Sequence, residues 1–334
     1  LYTIMKKIIL LILSFTVILT SCKKEEIKLI PKNHLLEFDK SEIQLFKLDT
    51  LDVFEIIGKK GTKIIFNREN FNVSENDKIT AELTELYDFN EILFKNINTV
   101  TDKGELLETS GVIKIEFKSN NQNLSLKENS SLIIEFPNNI LKSNSLFTAD
   151  LNEFNQVKWK EEKQNDTLFN LTVGGGIWKE IIIQKDSISF YKKINLKGTG
   201  FETIQEAWPE FSQLERINSI GLFKNLGWIN IDKIINPDYF ATFELISNNK
   251  KIENLTVYFV YENLNSFISD YRTIERLNFE NIPIKNSTRI LIIGEYEDNL
   301  FADNIILNEF KNKTKIKMNL KVMTEEQIKN MFDK

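Results

Sequence analysis

The stretch Glu206-Ala207-Trp208-Pro209-Glu210 pairs two carboxylates around an aromatic ring. Glycoside hydrolysis needs two carboxyl groups roughly 5–9.5 Å apart, one to protonate the leaving oxygen and one to attack or to activate water. Glu206 and Glu210 face each other only on a helix, and Pro209 weakens a helix there. The pair therefore reads first as solvated acids in a loop. A carboxylate-dependent hydrolase is the alternative, and unchanged activity in Glu206→Gln would sink it. Trp208, set between acids and proline, is the exposed aromatic on which a sugar ring would stack. Trp159, Trp178 and Trp228 read as mostly buried. A glycan-binding accessory of an outer-membrane uptake system would use the strip around Trp208 with Glu206 and Glu210, and a glycan array tests it.

Other chemistry is limited by residue counts. His34 is the only histidine. A serine–histidine–acid triad needs an imidazole held beside its nucleophile, and His34 falls in a polar tail, where it reads as solvated. Histidine-based zinc is excluded by the same count. Glu295, Glu297, Asp298 and Asp303 form an acidic cluster, but calcium wants six to eight oxygens and no EF-hand spacing is present. They read as a solvated hairpin loop. Gly174-Gly175-Gly176 would cradle phosphate only before a helix bearing the right lysine and hydroxyl. Ile181-Ile182-Ile183 follows instead, so the triplet reads as a tight turn or hinge. No cofactor, metal or catalytic residue is expected.

The only cysteine, Cys22, ends the run MKKIILLILSFTVILTSC that starts at Met5. Lys6 and Lys7 give a charged start, Ile8 to Leu19 an apolar run, and Thr20-Ser21 the small residues of a cleavage site. The run is short of the roughly 20 apolar residues of a membrane span. Residues 1–21 are expected to be a signal peptide, with Met5 as its start. Leu19-Thr20-Ser21-Cys22 resembles the lipobox of bacterial lipoproteins, which implies cleavage before Cys22 and a diacylglycerol on its thiol. Lys23-Lys24-Glu25-Glu26 resembles the tag of surface-exposed Bacteroidetes lipoproteins, which implies an outer-membrane, cell-surface address. Several acyl chains at about 0.8 kcal/mol per buried methylene make a lasting anchor. Residues 22–34 read as the lipidated cysteine and a flexible tether. Thr50, Thr167 and Ser187 each follow an aspartate and precede an apolar residue. That pattern resembles the O-glycosylation motif of Bacteroidetes exported proteins and implies glycan at those three hydroxyls.

The 334 residues carry a formal net charge of −5, and loss of the signal with Lys6 and Lys7 leaves −7. This argues against nucleic acid and against broad electrostatic attraction to anionic lipid. With Cys22 taken by lipid there is no disulfide. Stability must come from the core, for which 42% hydrophobic residues and 25 phenylalanines supply material.

Short period-two runs dominate the rest. Ile79, Ala81 and Leu83, then Ile113, Ile115 and Phe117, then Leu132, Ile134 and Phe136 alternate with polar residues, as half-buried antiparallel strands do. Asp88 caps a helix with Glu91 in the capping-box position. Residues 35–162 are expected to form an N-terminal β-sandwich, 163–176 a linker, and 177–334 a second β-rich domain. The order from Gly58 to Pro137 resembles uncharacterised Bacteroidetes lipoproteins and, more weakly, the ZU5-type sandwich, which implies a fold and no activity. Gly221 to Asp232 resembles a Gly-Trp-Ile-Asn-x-Asp signature of the same lipoproteins, in which cysteine is usual where Ile231 stands. Leu255 to Tyr261 is apolar on both faces and predicts a central strand. Thr314 to Val322 alternates apolar residues with lysines and predicts an exposed edge strand. Thr324 and Gln327 cap a short C-terminal helix.

The reading is a mainly β protein. Two antiparallel sandwich-like domains follow a lipoprotein signal and tether, and a short helix ends the chain. It is non-enzymatic and binds or assembles at the outer membrane or cell surface. Its partners are the membrane through lipid and a glycan or envelope protein, without nucleic acid.

Overall fold

The computed structural model describes residues 34–35, 38–48, 53–128, 130–137, 145–151, 156–162, 167–174, 182–184, 187–189, 215–247, 249, 251–261, 263–306 and 314–332. The chain is mainly β, with sheets that are antiparallel save for one parallel pairing and with two short α-helices among the described residues. The first strands are β1 (Gln44–Leu48), β2 (Val53–Ile57), β3 (Lys63–Asn67), β4 (Ile79–Leu86), β5 (Leu106–Ser119), β6 (Gln122–Asn123), β7 (Leu132–Phe136), β8 (Ser145–Leu151) and β9 (Val157–Glu161). Helix α1 (Phe89–Phe94) links β4 to β5. Next come β10 (Thr167–Gly174), β11 (Ile182–Gln184), β12 (Ser187–Ser189), β13 (Glu215–Phe223) and β14 (Gly227–Ile235). The last group is β15 (Tyr239–Ile246), β16 (Asn254–Tyr261), β17 (Ser266–Thr273), β18 (Asn278–Ile284), β19 (Thr288–Tyr296), β20 (Asn299–Ile306), β21 (Thr314–Lys317), β22 (Lys321–Met323) and helix α2 (Glu325–Asn330).

Two sheets make the first sandwich. One runs β1-β4-β5-β14-β8-β9, with β6 folded back on β5, and the other β10-β13-β7-β3-β2. Their facing alternate residues, among them Ile113, Ile115 and Phe117 against Phe66, Ile134 and Phe136, form one core. Phe66, Phe71 and Phe117 meet with ring centroids 4.7–5.8 Å apart, and a fully buried Phe is worth about 1.5–3 kcal/mol. The second sandwich packs β18-β15-β21 on β17-β16-β19-β20-β22. Leu255, Val257, Phe259 and Tyr261 of β16 fill that core with Phe243, Phe279, Ile290 and Ile292.

A third core explains why β16 and β19 are apolar on both faces. Tyr258, Val260, Leu291 and Ile293 point the other way, toward Leu86, Val112, Phe147, Trp159 and Trp228 of the first sandwich, with α1 and α2 in the same cluster. The two sandwiches are therefore joined by a hydrophobic layer. Local signals set its helices. Asp88 caps α1 and Thr324 caps α2, each in a full capping box.

Three expectations change. The boundary at 163–176 does not hold as a linker, because Thr167–Gly174 is strand β10 and pairs with β13. Its alternation of Phe169, Leu171 and Val173 was outweighed in the sequence by the glycines that follow. Residues 215–235, assigned to the second domain, supply β13 and β14 to the first: β13 pairs with β7, and β14 lies between β5 and β8. Strand partners are chosen by long-range fit, which no local run encodes. The lysine-studded run from Thr314 to Val322 is two edge strands in two sheets. β21 pairs parallel with β15, and β22 pairs antiparallel with β20.

The open end of the first sandwich is closed by a buried carboxylate. Glu85, at the core face of β4, is buried. It accepts from the N–H groups of Lys60 and Thr62 at 2.9 Å and from Gln44 Nε2 at 2.7 Å. A Cβ at Gly58 would sit 2.4 Å from this carboxylate, which is why the β2–β3 turn opens with glycine.

Candidate functional site

The residues singled out by chemistry divide sharply. Cys22, Thr50, Trp208, Glu206, Glu210 and the Lys23–Glu26 tag lie outside the described residues. Thr167 opens β10 and Ser187 opens β12, so the backbone at both is in strands. For Thr167 this replaces the linker that was expected. The acidic cluster is dispersed by its hairpin. Glu297 and Asp298 form the two-residue turn between β19 and β20, both with positive φ (47° and 59°), as a primed hairpin turn requires. Asp303 lies down β20 opposite Ile292 and caps the Asn304 and Asn319 amides. Among the described residues, no group of three or more His, Cys, Asp or Glu is placed to hold a metal ion.

His34 is corrected. Its side chain is only 4% exposed, with Nε2 4.0 Å from a Glu295 oxygen and Nδ1 3.2 Å from the Thr256 hydroxyl. Its polar neighbours suggested a tail, but Leu35 and Phe38 anchor the segment. Leu35 is fully buried in the layer between the sandwiches, and Phe38 packs edge-on to Phe94 of α1 at 5.5 Å. Lys95 donates to Asp39 and Ser41 at 2.8 and 2.7 Å. Burial alone would raise the Asp39 carboxyl, but Lys95 and Ser41 together hold it below the usual carboxylate range. Residues 34–35 and 38–41 thus form an arm tied to the junction layer and to α1. Leu35→Asp would place a charge in that layer. We expect it to cost at least about 2 kcal/mol and to open the arm to protease, as read by limited proteolysis from the N-terminal side.

Beneath the arm, the Gly227 to Asp232 stretch shows why its spacing is what it is. Ile229 and Ile231 enter the first sandwich's core. Trp228, Asn230 and Asp232 alternate with them on the opposite face of β14, and all three are buried. Thr109 Oγ1 donates to Asn230 Oδ1 at 3.0 Å, and Asn230 Nδ2 donates to Asp232 Oδ2 at 2.5 Å. The β14–β5 register shifts between Asn230 and Asp232, next to Gly111, whose φ is +152° and whose Cβ position is filled by the Tyr87 ring. Burial pushes the Asp232 carboxyl well above its ordinary range, further than bonds from Thr109, Asn230 and the Ser110 amide pull it down, and Glu108 adds repulsion. Asp232 Oδ1 and Trp228 Nε1 have no hydrogen-bond partner among the described residues.

Such burial favours the neutral, protonated form of the carboxyl, which meets no solvent. It can donate a hydrogen bond but cannot reach a substrate. Its linkage to stability has a definite sign. The unfolded chain ionises Asp232 from about pH 4 upward while the folded chain does so only at higher pH, so the stability this group contributes is full below that range and falls as pH rises through the raised folded-state range. Asp232→Asn is expected to melt at a higher temperature than wild type near pH 8, with the gap closing toward about pH 4. Thermal melts across that range check it.

A second polar set crosses the junction between α1 and β17. Asn98 Oδ1 accepts from the Ser269 amide and hydroxyl, both at 2.8 Å, and the Asn98 carbonyl accepts from Trp159 Nε1 at 2.7 Å. Thr99 N–H donates to the Phe267 carbonyl at 3.0 Å, and Phe267 N–H returns to Thr99 Oγ1 at 2.7 Å. Residues 98–99 were invisible as a site in the sequence, since Asn-Thr after a helix reads as ordinary loop. Trp228 read as buried in the sequence and is so, but nothing there joined it to Asn230 and Asp232 as one buried face.

Comparison of the chain with protein-family models, with curated proteins and with solved structures finds no match in any of the three.

Proposed function

We propose that this chain is a lipid-anchored envelope lipoprotein of the Bacteroidetes type, held at the outer membrane and facing the cell surface, where it binds or assembles without catalysing a reaction. One observation carries the reading: a charged, apolar and small-residue run ends at Leu19-Thr20-Ser21-Cys22, the only cysteine. The placement of the arm supports it. The side chain of His34, twelve residues after Cys22, is buried, and Leu35 enters the junction layer. A pull on the anchor would thus be borne by the middle of the body. The interior also favours a rigid scaffold over an enzyme. Asp232, the most perturbed acid among the described residues, is buried at the junction.

The test is metabolic labelling with a palmitate analogue, combined with protease treatment of intact cells. Wild type should carry label and be digested without lysis, and Cys22→Ala should carry none. Label without digestion would move the protein to the periplasmic face. Absence of label from the wild type would overturn the reading.

A further inference from the structure

The two ends of the first sandwich's core are finished differently. At one end the Glu85 carboxylate meets three donors. The other end carries a buried cation. Phe66 of β3 and Phe117 of β5 face each other across the core, with ring centroids 4.7 Å apart. Two positions further along the chain from each stand Arg68 and Ser119. Ser119 lies opposite Ile79, the first residue of β4. Arg68 opens the connection from β3 to that same residue, so the topology brings both to one end. Arg68 is 8% exposed and Ser119 7%. Arg68 Nη2 donates to the carbonyls of Ser74 and Asp77, both at 2.5 Å, which ties the connecting loop to the guanidinium. Arg68 Nε, Arg68 Nη1 and Ser119 Oγ are buried with no hydrogen-bond partner among the described residues. The Asp77 carboxylate is turned elsewhere, its Oδ2 accepting from the Ser74 amide at 2.8 Å. No described carboxylate forms an ion pair with Arg68.

A guanidinium keeps its proton in a protein, and a buried charge left without a counter-charge is strongly destabilising. The two backbone carbonyls supply dipoles, not a charge. We infer that this end of the first sandwich binds a small inorganic anion of halide size, held by an unspent Arg68 N–H and the Ser119 hydroxyl. Charge selects an anion over water, because water satisfies the hydrogen bonds and leaves the cation uncompensated. Burial selects a small one. Phosphate, sulfate or a partner's carboxylate would reach these groups only if residues 72–78 lifted away. A halide also accepts from N–H and O–H donors without a fixed lone-pair direction, so a guanidinium and a hydroxyl from two facing sheets suffice to hold it. The chain's own nearby acids, Glu69 and Glu75, are exposed. The bound anion fixes Arg68, and Arg68 fixes the Ser74 and Asp77 carbonyls, so the β3–β4 loop is latched to the core through it. The site does not depend on where the protein is held.

The experiment uses the full chain with Cys22→Ala, unfolded in urea at constant ionic strength while chloride or bromide replaces gluconate. An anion bound only by the folded state raises stability with its concentration. Above the dissociation constant, each tenfold rise in halide should multiply the folded-to-unfolded ratio about tenfold. Ser119→Ala should shift the halide dependence to about tenfold higher concentration, as loss of a hydrogen bond to a charged group does. Arg68→Met, which removes the buried charge and keeps an apolar stem, should abolish the dependence. Should Arg68→Met fail to fold, Ser119→Ala and bromide location keep the inference open to refutation. Crystals grown in sodium bromide should show an anomalous peak within hydrogen-bond reach of the Arg68 guanidinium. A peak there with stability indifferent to halide means an adventitious ion only and overturns the inference. Stabilisation that gluconate matches, or that persists in Arg68→Met, is a general salt effect and also overturns it. Water, or a Glu69 or Glu75 carboxylate turned onto Arg68, in place of the bromide overturns it as well.

Discussion

Glu85→Ala is expected to lose about 3–5 kcal/mol of stability, because it removes a buried acceptor and leaves its donors behind. Two of the three donors are backbone N–H groups, Lys60 and Thr62, in the turn that joins β2 to β3. Neither can rotate away to find water, and Thr62 is fully buried. The third donor, Gln44, belongs to β1 of the facing sheet. The carboxylate therefore ties three elements from two sheets at one point. Glu85→Gln keeps the shape and one acceptor oxygen but turns an amide N–H toward a backbone donor, so it should recover only part of the loss. Gly58→Ala attacks the same point from the other side, since its new methyl would meet the carboxylate at 2.4 Å. Urea unfolding of the Cys22→Ala chain, followed by tryptophan fluorescence, checks all three. The midpoint should fall with the slope unchanged, as expected when only the folded state is weakened. A loss below about 1 kcal/mol for Glu85→Ala would mean the turn finds other acceptors.

Glu85 also shows what was legible in the sequence. The alternation read for Ile79, Ala81 and Leu83 stopped short of position 85, which falls in step with them, and nothing local named the donors waiting there. Strands with a wet face were readable wherever one period-two run sufficed, as at Ile113, Ile115 and Phe117. Both helices were readable because a capping box is closed within four residues, Asp88 to Glu91 and Thr324 to Gln327. Pairing was not readable. β14 enters a sheet whose other strands lie far back in sequence, and its choice between sandwiches depends on side chains such as Ile229 that fit either core. The same blindness hid the junction. Trp228 read as buried, but that Asn230 and Asp232 share its covered face depends on a second sandwich that no local run announces. His34 looked like tail because its anchors, Leu35 and Phe38, bind residues more than fifty positions away. Of the chemistry-bearing candidates, Glu206, Trp208 and Glu210 lie outside the described residues, and the rest were decided by burial, which composition does not encode.

The junction itself should fail in a way that apolar packing alone would not. Asn98→Leu conserves volume and keeps the backbone carbonyl that receives Trp159. It deletes the acceptor for both the amide and the hydroxyl of Ser269. Ser269 is buried, and its amide cannot turn to solvent while β17 stays paired with β16. The expected cost is about 2–4 kcal/mol, most of it from the stranded amide. Ser269→Ala removes only the hydroxyl and should cost about 1 kcal/mol; in the double variant the two losses should add to less than their sum, because the hydroxyl has already lost its acceptor. Hydrogen exchange gives the local readout. The Ser269 amide should exchange faster in Asn98→Leu, while amides of β3, in the first sandwich's other sheet, keep their protection relative to global unfolding. The outcome that would sink this account is a protected Ser269 amide with stability within about 0.5 kcal/mol of wild type. The apolar layer of Tyr258, Leu291 and Trp228 would then align the sandwiches alone, and the Asn98–Ser269 bonds would be a consequence of that alignment rather than a cause. The sign of the coupling matters for the lipoprotein reading too. An arm that carries the anchor's pull into this layer transmits it to both sandwiches only if the layer resists shear, and directional hydrogen bonds resist sliding where apolar contacts do not.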